Sequence, residues 1–421
     1  MKSSYINRSI EQTAKEICES FPVVLITGAR QVGKSTMIEY VTHLLGKKIN
    51  SVTFDDLELR KQAKEDPKLF LDTHDAPLLI DEFQYAPDLL SYIKIRVDES
   101  RRQSFNKDTQ TTGLYFITGS QIFKTMREAS ESLAGRIGVL NLYGLSQREL
   151  SNMPSEAFIP NIDTLKKREP VAKLSVGELF RRIITGSYPE LHTNAAMKKD
   201  AFYNSYIKTY IERDIRELIN VKDELKFLKF IRSVAARTAQ ELNLNDICND
   251  VGISNPTAGE WLSILVNTGL VFLLQPYSGN TVNRIVKRPK VYFMDTGLAC
   301  FLAGFIDAVT LERSSYNGAI FETYVISEII KSFANVGKSA EQHLHYYRDK
   351  AGKEIDLLIF FNNTVYPLEI KKGTNPGKDA IANFDVLKSF GVNVGNGVVV
   401  CLNDQIFALD AKNYLVPVWY I

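Results

Sequence analysis

Two short stretches carry residue types suited to handling a nucleoside triphosphate. The first is Gly28-Ala29-Arg30-Gln31-Val32-Gly33-Lys34-Ser35-Thr36, which satisfies G-x-x-x-x-G-K-[ST] at every required position. Glycines at both ends let the backbone turn tightly and bring its N–H groups onto phosphate oxygens. Lys34 has the reach for the β- and γ-phosphates, and the Ser35 hydroxyl suits Mg²⁺. The second stretch is Asp81-Glu82, directly after Pro77-Leu78-Leu79-Ile80. Asp81 would hold Mg²⁺, directly or through water, and Glu82 would orient and deprotonate the attacking water. The chemistry implied is binding and hydrolysis of ATP, with Mg²⁺ as the metal.

These residues work together only if the fold delivers them to one place. Pro22-Val23-Val24-Leu25-Ile26 reads as a buried parallel strand entering the loop. The segment from Lys34 to Leu45 reads as a helix whose positive dipole end faces the phosphates. Leu78 to Ile80 is a second buried strand, ending at the sheet edge where ligands bind in open α/β folds. A helix over Ile10 to Ser20, a strand closing at Phe54, a helix over Leu57 to Lys64 and another over Asp88 to Glu99 complete the layers. Pro67 to Leu71 leads toward a turn, and Arg101 to Thr112 reads as an exposed loop. Leu114-Tyr115-Phe116-Ile117 is a third buried strand, ending at Thr118-Gly119-Ser120-Gln121. Ser120 or Gln121 there either senses the γ-phosphate or caps the strand. Arg136, before the strand Ile137 to Leu142, is either an arginine finger on a neighbour's nucleotide or half of a structural ion pair. The fold class expected for residues 1–155 is an α/β P-loop NTPase with a parallel sheet.

The chain has 421 residues, enough for several domains, with 45% apolar and 24% charged residues as in soluble globular proteins. A net charge of +2 gives no overall pull toward nucleic acid or membrane. Cys18, Cys248, Cys300 and Cys401 are scattered without metal-type spacing, which fits reduced thiols in the cytoplasm. No segment reaches the ~20 apolar residues that span a bilayer. The first residues, from Met1 to Arg8, lack the apolar core of a secretion signal.

Pro160 and Pro170 mark a composition break between Pro154 and Lys173, and residues 156–222 read as a helical linker or lid. There, a helix over Val176 to Thr185 stops at Gly186-Ser187-Tyr188-Pro189-Glu190, and a long helix from Ala201 to Leu218 carries Tyr210, Arg213 and Asp214. Residues 223–298 suggest a winged helix: helices over Leu225 to Thr238 and Leu244 to Val251, a third capped by Ser254, then two strands around a polar wing. DNA would meet Ser254, Asn255 and Thr257 on the third helix and Arg284, Lys287, Arg288 and Lys290 from the wing. That helix has no arginine or lysine between Ser254 and Leu270, which argues against major-groove reading and leaves a role as a rigid lid open. Residues 299–421 begin with a helix from Gly318 to about Ala334, followed by strands, a hairpin turn at Asn362-Asn363, a helix over Ala380 to Ser389 and a buried strand at Gly397 to Cys401. Glu322, Asp356, Glu369 and Lys371 converge in this layout, and Glu369 and Lys371, two apart on a strand, share one face.

Val23–Ser35, Leu78–Pro87, Ile117–Gln121 and Leu133–Glu149 together resemble the AAA-type ATPases of bacteria and archaea that carry a C-terminal domain of unknown function. Leu133-Ala134-Gly135-Arg136 and Leu145-Ser146-Gln147-Arg148-Glu149 are distinctive parts of that resemblance, and Arg213-Asp214-Ile215 matches too. Gly186-Ser187-Tyr188-Pro189 is similar to the family's Gly-Gly-Tyr-Pro element, with Ser187 in place of the second glycine. Such proteins resemble STAND-type switch ATPases, in which nucleotide state controls domain arrangement. That likeness implies a G-x-P element near the adenine; Arg213 either faces the nucleotide or is a solvated surface charge. The C-terminal set resembles the D…E-x-K arrangement of a restriction-endonuclease-like core, with Glu322 as the helix acid. It implies Mg²⁺ on the carboxylates and Lys371 beside the attacking water. Three functions follow as expectations: an ATP-driven switch that positions the later domains, with DNA or a protein as partner; an ATP-gated, metal-dependent DNA nuclease; and a nucleotide-bound scaffold that recruits proteins.

Overall fold

The computed structural model describes residues 5–104, 111–119, 133–209, 224–277 and 288–421. Its first sheet holds β1 (Val23–Thr27), β2 (Asn50–Thr53), β3 (Leu78–Asp81), β4 (Tyr115–Thr118) and β5 (Ile137–Asn141). All pairs are parallel, in the order β2-β3-β4-β1-β5. The acid-bearing β3 is therefore separated from the loop-bearing β1 by β4. Every residue of β1 is buried, as a strand covered on both faces requires. Its side chains divide with a period of two. Val24 and Ile26 pack with Ala14, Cys18, Met37 and Val41, while Val23 and Leu25 join Ile80, Phe70, Ile93 and Val97 on the opposite face.

Pro67 to Leu71 does not lead into a turn but opens a helix, Pro67–Thr73. Asp66 accepts a hydrogen bond from Leu69 N at its start, and Pro67 occupies the first turn, where a missing N–H costs nothing. The helix Leu89–Ser104 runs into the stretch expected to be a loop, with Arg101 and Arg102 in its last turn, where cations suit the dipole.

The middle of the chain has helices Glu224–Ala236, Leu244–Val251 and Asn255–Asn267 beside an antiparallel sheet of β6 (Gln240–Glu241), β7 (Val271–Leu274) and β8 (Lys290–Phe293), ordered β6-β8-β7. Trp261 anchors the third helix edge-on to Phe227 and Phe230, with ring centres 5.1 and 5.5 Å away.

The C-terminal unit sets the helix Asn317–Asn335 against a mixed sheet of β9 (Leu344–Arg348), β10 (Glu354–Phe361), β11 (Thr364–Ile370), β12 (Asn393–Val394), β13 (Gly397–Cys401), β14 (Phe407–Ala408) and β15 (Asn413–Pro417). β9, β10 and β11 form an antiparallel meander, and β13 returns parallel to β11. Asn362 and Asn363 both take positive φ, 47° and 58°, as a tight two-residue hairpin needs. Pro367 falls between the residues of β11 that pair with β12 and those that pair with β13. The helix expected over Ala380 to Ser389 is replaced by two 3₁₀ stretches, Lys378–Ile381 and Phe384–Phe390. Phe384, Leu387 and Phe390 recur every three residues and enter one cluster, which suits the three-residue turn.

The proline-rich segment read as a linker lies along the C-terminal unit. Phe158 N donates to Ser332 Oγ (3.0 Å), Ile162 N to Asn396 Oδ1 (3.1 Å) and Val171 N to Trp419 O (2.8 Å). No helix among the described residues is long and apolar enough to cross a membrane.

Candidate nucleotide-binding site

β1 ends at Thr27 and the chain turns through Gly28 at φ +135°, where a Cβ would lie 2.0 Å from Leu142 O. Only glycine lets the loop pass this close to the end of β5. Gly33, at φ +91°, precedes the helix Lys34–Leu44, whose first amides receive no side-chain cap and are left for an anion. Lys34 is buried, and its Nζ donates to Gly28 O (3.0 Å) and Ala29 O (2.9 Å). Burial pushes its amine down to about 8, against the pull of Glu82 and Asp81.

The two motifs meet at Asp81. Ser35 Oγ donates to Asp81 Oδ2 (2.8 Å), Thr118 Oγ1 donates to Asp81 Oδ1, and Glu82 N donates to Oδ1 (3.0 Å). A hydroxyl and a carboxylate side by side are the hard oxygen donors Mg²⁺ prefers, so the residues fit that metal. Glu82 sits in the left-handed region (φ 52°), at the turn after β3. Its Oε1 lies 3.7 Å from Arg30 Nη2, and its Oε2 accepts from Gln84 Nε2. Thr118, which the sequence shows only as a strand end, is the β4 residue that reaches the acid.

Beside the loop opens a cavity of about 880 Å³, walled by Gln31, Val32, Gly33 and Thr36 on one side and by Pro189, Glu190 and Phe202 on another. The Gly186-Ser187-Tyr188-Pro189 corner thus stands next to the phosphate loop. Asp295 holds that corner: its carboxylate accepts from Ser187 N (2.6 Å), Ser187 Oγ (2.8 Å), Tyr203 OH (2.8 Å) and Leu298 N (2.6 Å). Arg8 braces the loop from upstream of β1. It donates to Val32 O (2.9 Å) and Tyr143 O (2.6 Å) and pairs with Glu149 (3.1 Å), both partners buried. Glu149 also completes a capping box with Ser146. This gives the Leu145-to-Glu149 motif a physical role, since Gln147 N donates to Glu328 Oε2 (2.8 Å) and Leu145 O accepts from Lys331 Nζ (3.1 Å). The motif joins the first sheet to the C-terminal helix.

Arg136 Nε pairs with Asp98 Oδ1 at 2.8 Å, and this bond holds the Asp98 carboxyl below its usual range. Ser120, Gln121, Tyr210, Arg213, Asp214, Ile215, Arg284 and Lys287 lie outside the described residues.

The four C-terminal candidates do come together. Lys371 Nζ lies 2.7 Å from Glu369 Oε2 and 3.8 Å from Asp356 Oδ2, and Ile370 N donates to Asp356 Oδ2 (2.9 Å). Burial, with Asp356 nearby, pushes Glu322 up to about 7 and Glu369 up to about 8. Among the described residues, no group of three His, Cys, Asp or Glu side chains is placed to hold a metal ion. Lys290 departs from expectation. It does not stand on the wing facing phosphates; it is 3% exposed. Its Nζ lies 2.5 Å from Glu354, 3.2 Å from Glu322 and 3.8 Å from Asp356. Burial opposes its charge, but Tyr292, Glu322, Asp356 and Glu354 outweigh it and keep the amine protonated. Lys290 and Tyr292, two apart on β8, share one face, and Tyr292 OH also donates to Glu322 Oε1 (2.7 Å). Arg288 remains exposed.

Three family models match the chain. Residues 176–308 match a domain of unknown function (DUF8612), residues 20–151 an AAA domain, and residues 317–421 a domain of unknown function (DUF4143). The uncharacterized protein Rv2008c of Mycobacterium tuberculosis is 27% identical over 357 residues, covering 84% of this chain and 71% of its own. Among solved structures, the Walker-type ATPase PaBY2304 of Pyrococcus abyssi matches at TM-score 0.44 and 14% identity, over 72% of this chain and 97% of that one. A STAND protein with a tetratricopeptide repeat sensor from Pyrococcus horikoshii matches at 0.25 and 14%, over 79% and 48%. Residues 20–151, the stretch that matches the AAA domain, have a P-loop NTPase-like fold, with a parallel sheet, a glycine-bounded loop and paired acids.

Proposed function

We propose that the protein binds and hydrolyses ATP with Mg²⁺ and acts as a switch, its nucleotide state setting the position of a winged-helix unit and a nuclease-like C-terminal unit. The observation that carries this is the contact between Ser35 and Asp81, which joins the loop motif to the acidic strand across β4. Lys34 and the uncapped helix amides supply the positive surface for phosphates, and Glu82 stands beyond Asp81 as the base. The adjoining cavity gives the nucleoside a place against Pro189. Titration calorimetry with ATP and Mg²⁺, followed by phosphate-release kinetics, tests the proposal. Glu82→Gln should keep binding and lose about 100-fold or more in turnover. Binding without phosphate release by the wild type would refute hydrolysis.

A second reading, ATP-gated cleavage of DNA by a restriction-endonuclease-like core, draws support from Asp356, Glu369 and Lys371 gathered on neighbouring strands. The order of helix, three antiparallel strands and a parallel return strand agrees with that core. Lys371→Ala should abolish any Mg²⁺- or Mn²⁺-dependent nicking. A wild type that nicks no DNA under any nucleotide would end this reading.

A further inference from the structure

Strand β8 carries a charged group at each end. At one end Lys290 sits among Glu322, Glu354 and Asp356 of the C-terminal unit. Just past the other, Asp295 grips Ser187 and Tyr203 in the corner whose Pro189 and Glu190 wall the cavity beside the phosphate loop. Asp295 lies five positions after Lys290, roughly 16 Å of extended chain. β8 is the central strand of its sheet, bonded to β6 on one side and β7 on the other. It therefore moves only with its whole unit. That unit also meets the phosphate loop itself: a Cβ on Gly269 would lie 3.4 Å from Ala29 N and 3.7 Å from Gly28 Cα. Any rearrangement of loop or corner on binding a triphosphate presses on both contacts.

We propose that β8 couples the phosphate loop to the carboxylate cluster, with Lys290 as a tethered cation that occupies the cluster and is withdrawn when nucleotide shifts Gly28–Ala29 and Ser187. The proposal rests on the nucleotide-binding function above and assigns its regulation. The chemistry favours a two-position device. An ammonium 2.5 to 3.8 Å from three carboxylates fills the place an outside cation would take. Tyr292 supports it from the same face by donating to Glu322. Lys371 pairs with Glu369 and shares Asp356 with Lys290, so one ammonium stays in the cluster when the other leaves.

Amine-reactive labelling of the full-length wild type, read by mass spectrometry, tests this directly. The solvent-facing Lys61 and Lys388, 71% and 76% exposed, serve as internal references. Without nucleotide, Lys290 should label about tenfold or more slower than either. A non-hydrolysable ATP analogue with Mg²⁺ should raise its rate about fivefold or more, the lower end of ordinary coupling. Coupling is reciprocal, so Lys290→Met should tighten binding of that analogue by about the same factor. The labelling needs no variant and stands if Lys290→Met misfolds. If calorimetry shows the analogue bound while Lys290 labelling stays unchanged, the coupling is overturned and the nucleotide site survives. If no analogue binds, the nucleotide function falls and takes the coupling with it.

Discussion

Asp295 is the side chain whose loss the structure prices most clearly. The residue is 6% exposed, and its carboxylate accepts four hydrogen bonds of 2.6 to 2.8 Å. Asp295→Ala leaves the Ser187 amide, the Leu298 amide and the Ser187 and Tyr203 hydroxyls without that acceptor. At about 1 kcal/mol for each bond, the variant loses about 4 kcal/mol. Asp295→Asn separates the contributions. Its one carbonyl oxygen can still take Tyr203 OH and Leu298 N, and its amide can donate to Ser187 Oγ, but the Ser187 N–H then faces another N–H. The loss should be about 2 kcal/mol. Urea unfolding followed by tryptophan fluorescence measures this, because Trp261 reports on the unit that Asp295 closes. Unfolding free energies for both variants within about 0.5 kcal/mol of wild type would refute the claim that this carboxylate holds the corner.

Three other outcomes follow from the geometry. The Lys34 amine, lowered from 10.5 to about 8, carries a burial penalty that is full below pH 8 and fades as pH rises toward 10.5; phosphate binding instead needs the charged form. ATP affinity should therefore fall about tenfold from pH 7 to pH 9, with about 0.9 proton taken up at the higher pH. Calorimetry at pH 9 in two buffers of different ionisation heat reads this, and equal heats would exclude it. Gly28→Ala places a methyl 2.0 Å from Leu142 O at a φ that disfavours it, so nucleotide binding should be lost; wild-type affinity in that variant would contradict the packing described. Arg136→Ala breaks a pair whose partners are 26% and 27% exposed, and should cost less than about 1 kcal/mol in thermal unfolding. A greater loss would mean that Arg136 holds more than Asp98.

What could be read from the sequence was local. The apolar run from Val23, the glycines at 28 and 33 and the acids after Ile80 each sit within one strand and its turn, so adjacency is enough to place them. The Asn362-Asn363 turn is legible for the same reason, because two residues set its geometry. The residues that were missed act across the chain. Arg8 meets Glu149 from 141 positions away, and Asp295 meets Ser187 from 108. Nothing near Arg8 in sequence distinguishes it from an ordinary surface charge, and Asp295, legible as the acid that ends the strand before Thr296-Gly297-Leu298, gives no sign of its partner Ser187. Lys290 was placed on the wrong side because a lysine next to a polar turn usually faces water. Burial with three acids reverses that preference, and those acids come from the helix Asn317–Asn335 and β10.

The hydrogen bonds from Phe158, Ile162 and Val171 have a practical meaning for anyone cutting this protein into pieces. A truncation at residue 298 would strip a ribbon of main chain of the acceptors supplied by Ser332, Asn396 and Trp419, leaving donors and apolar side chains bare. A C-terminal fragment begun at residue 299 would lack the ribbon that lies along it. Expression of residues 1–298 alone should therefore yield sticky, poorly behaved material, and an excised C-terminal half should regain solubility when residues 156–175 are supplied with it.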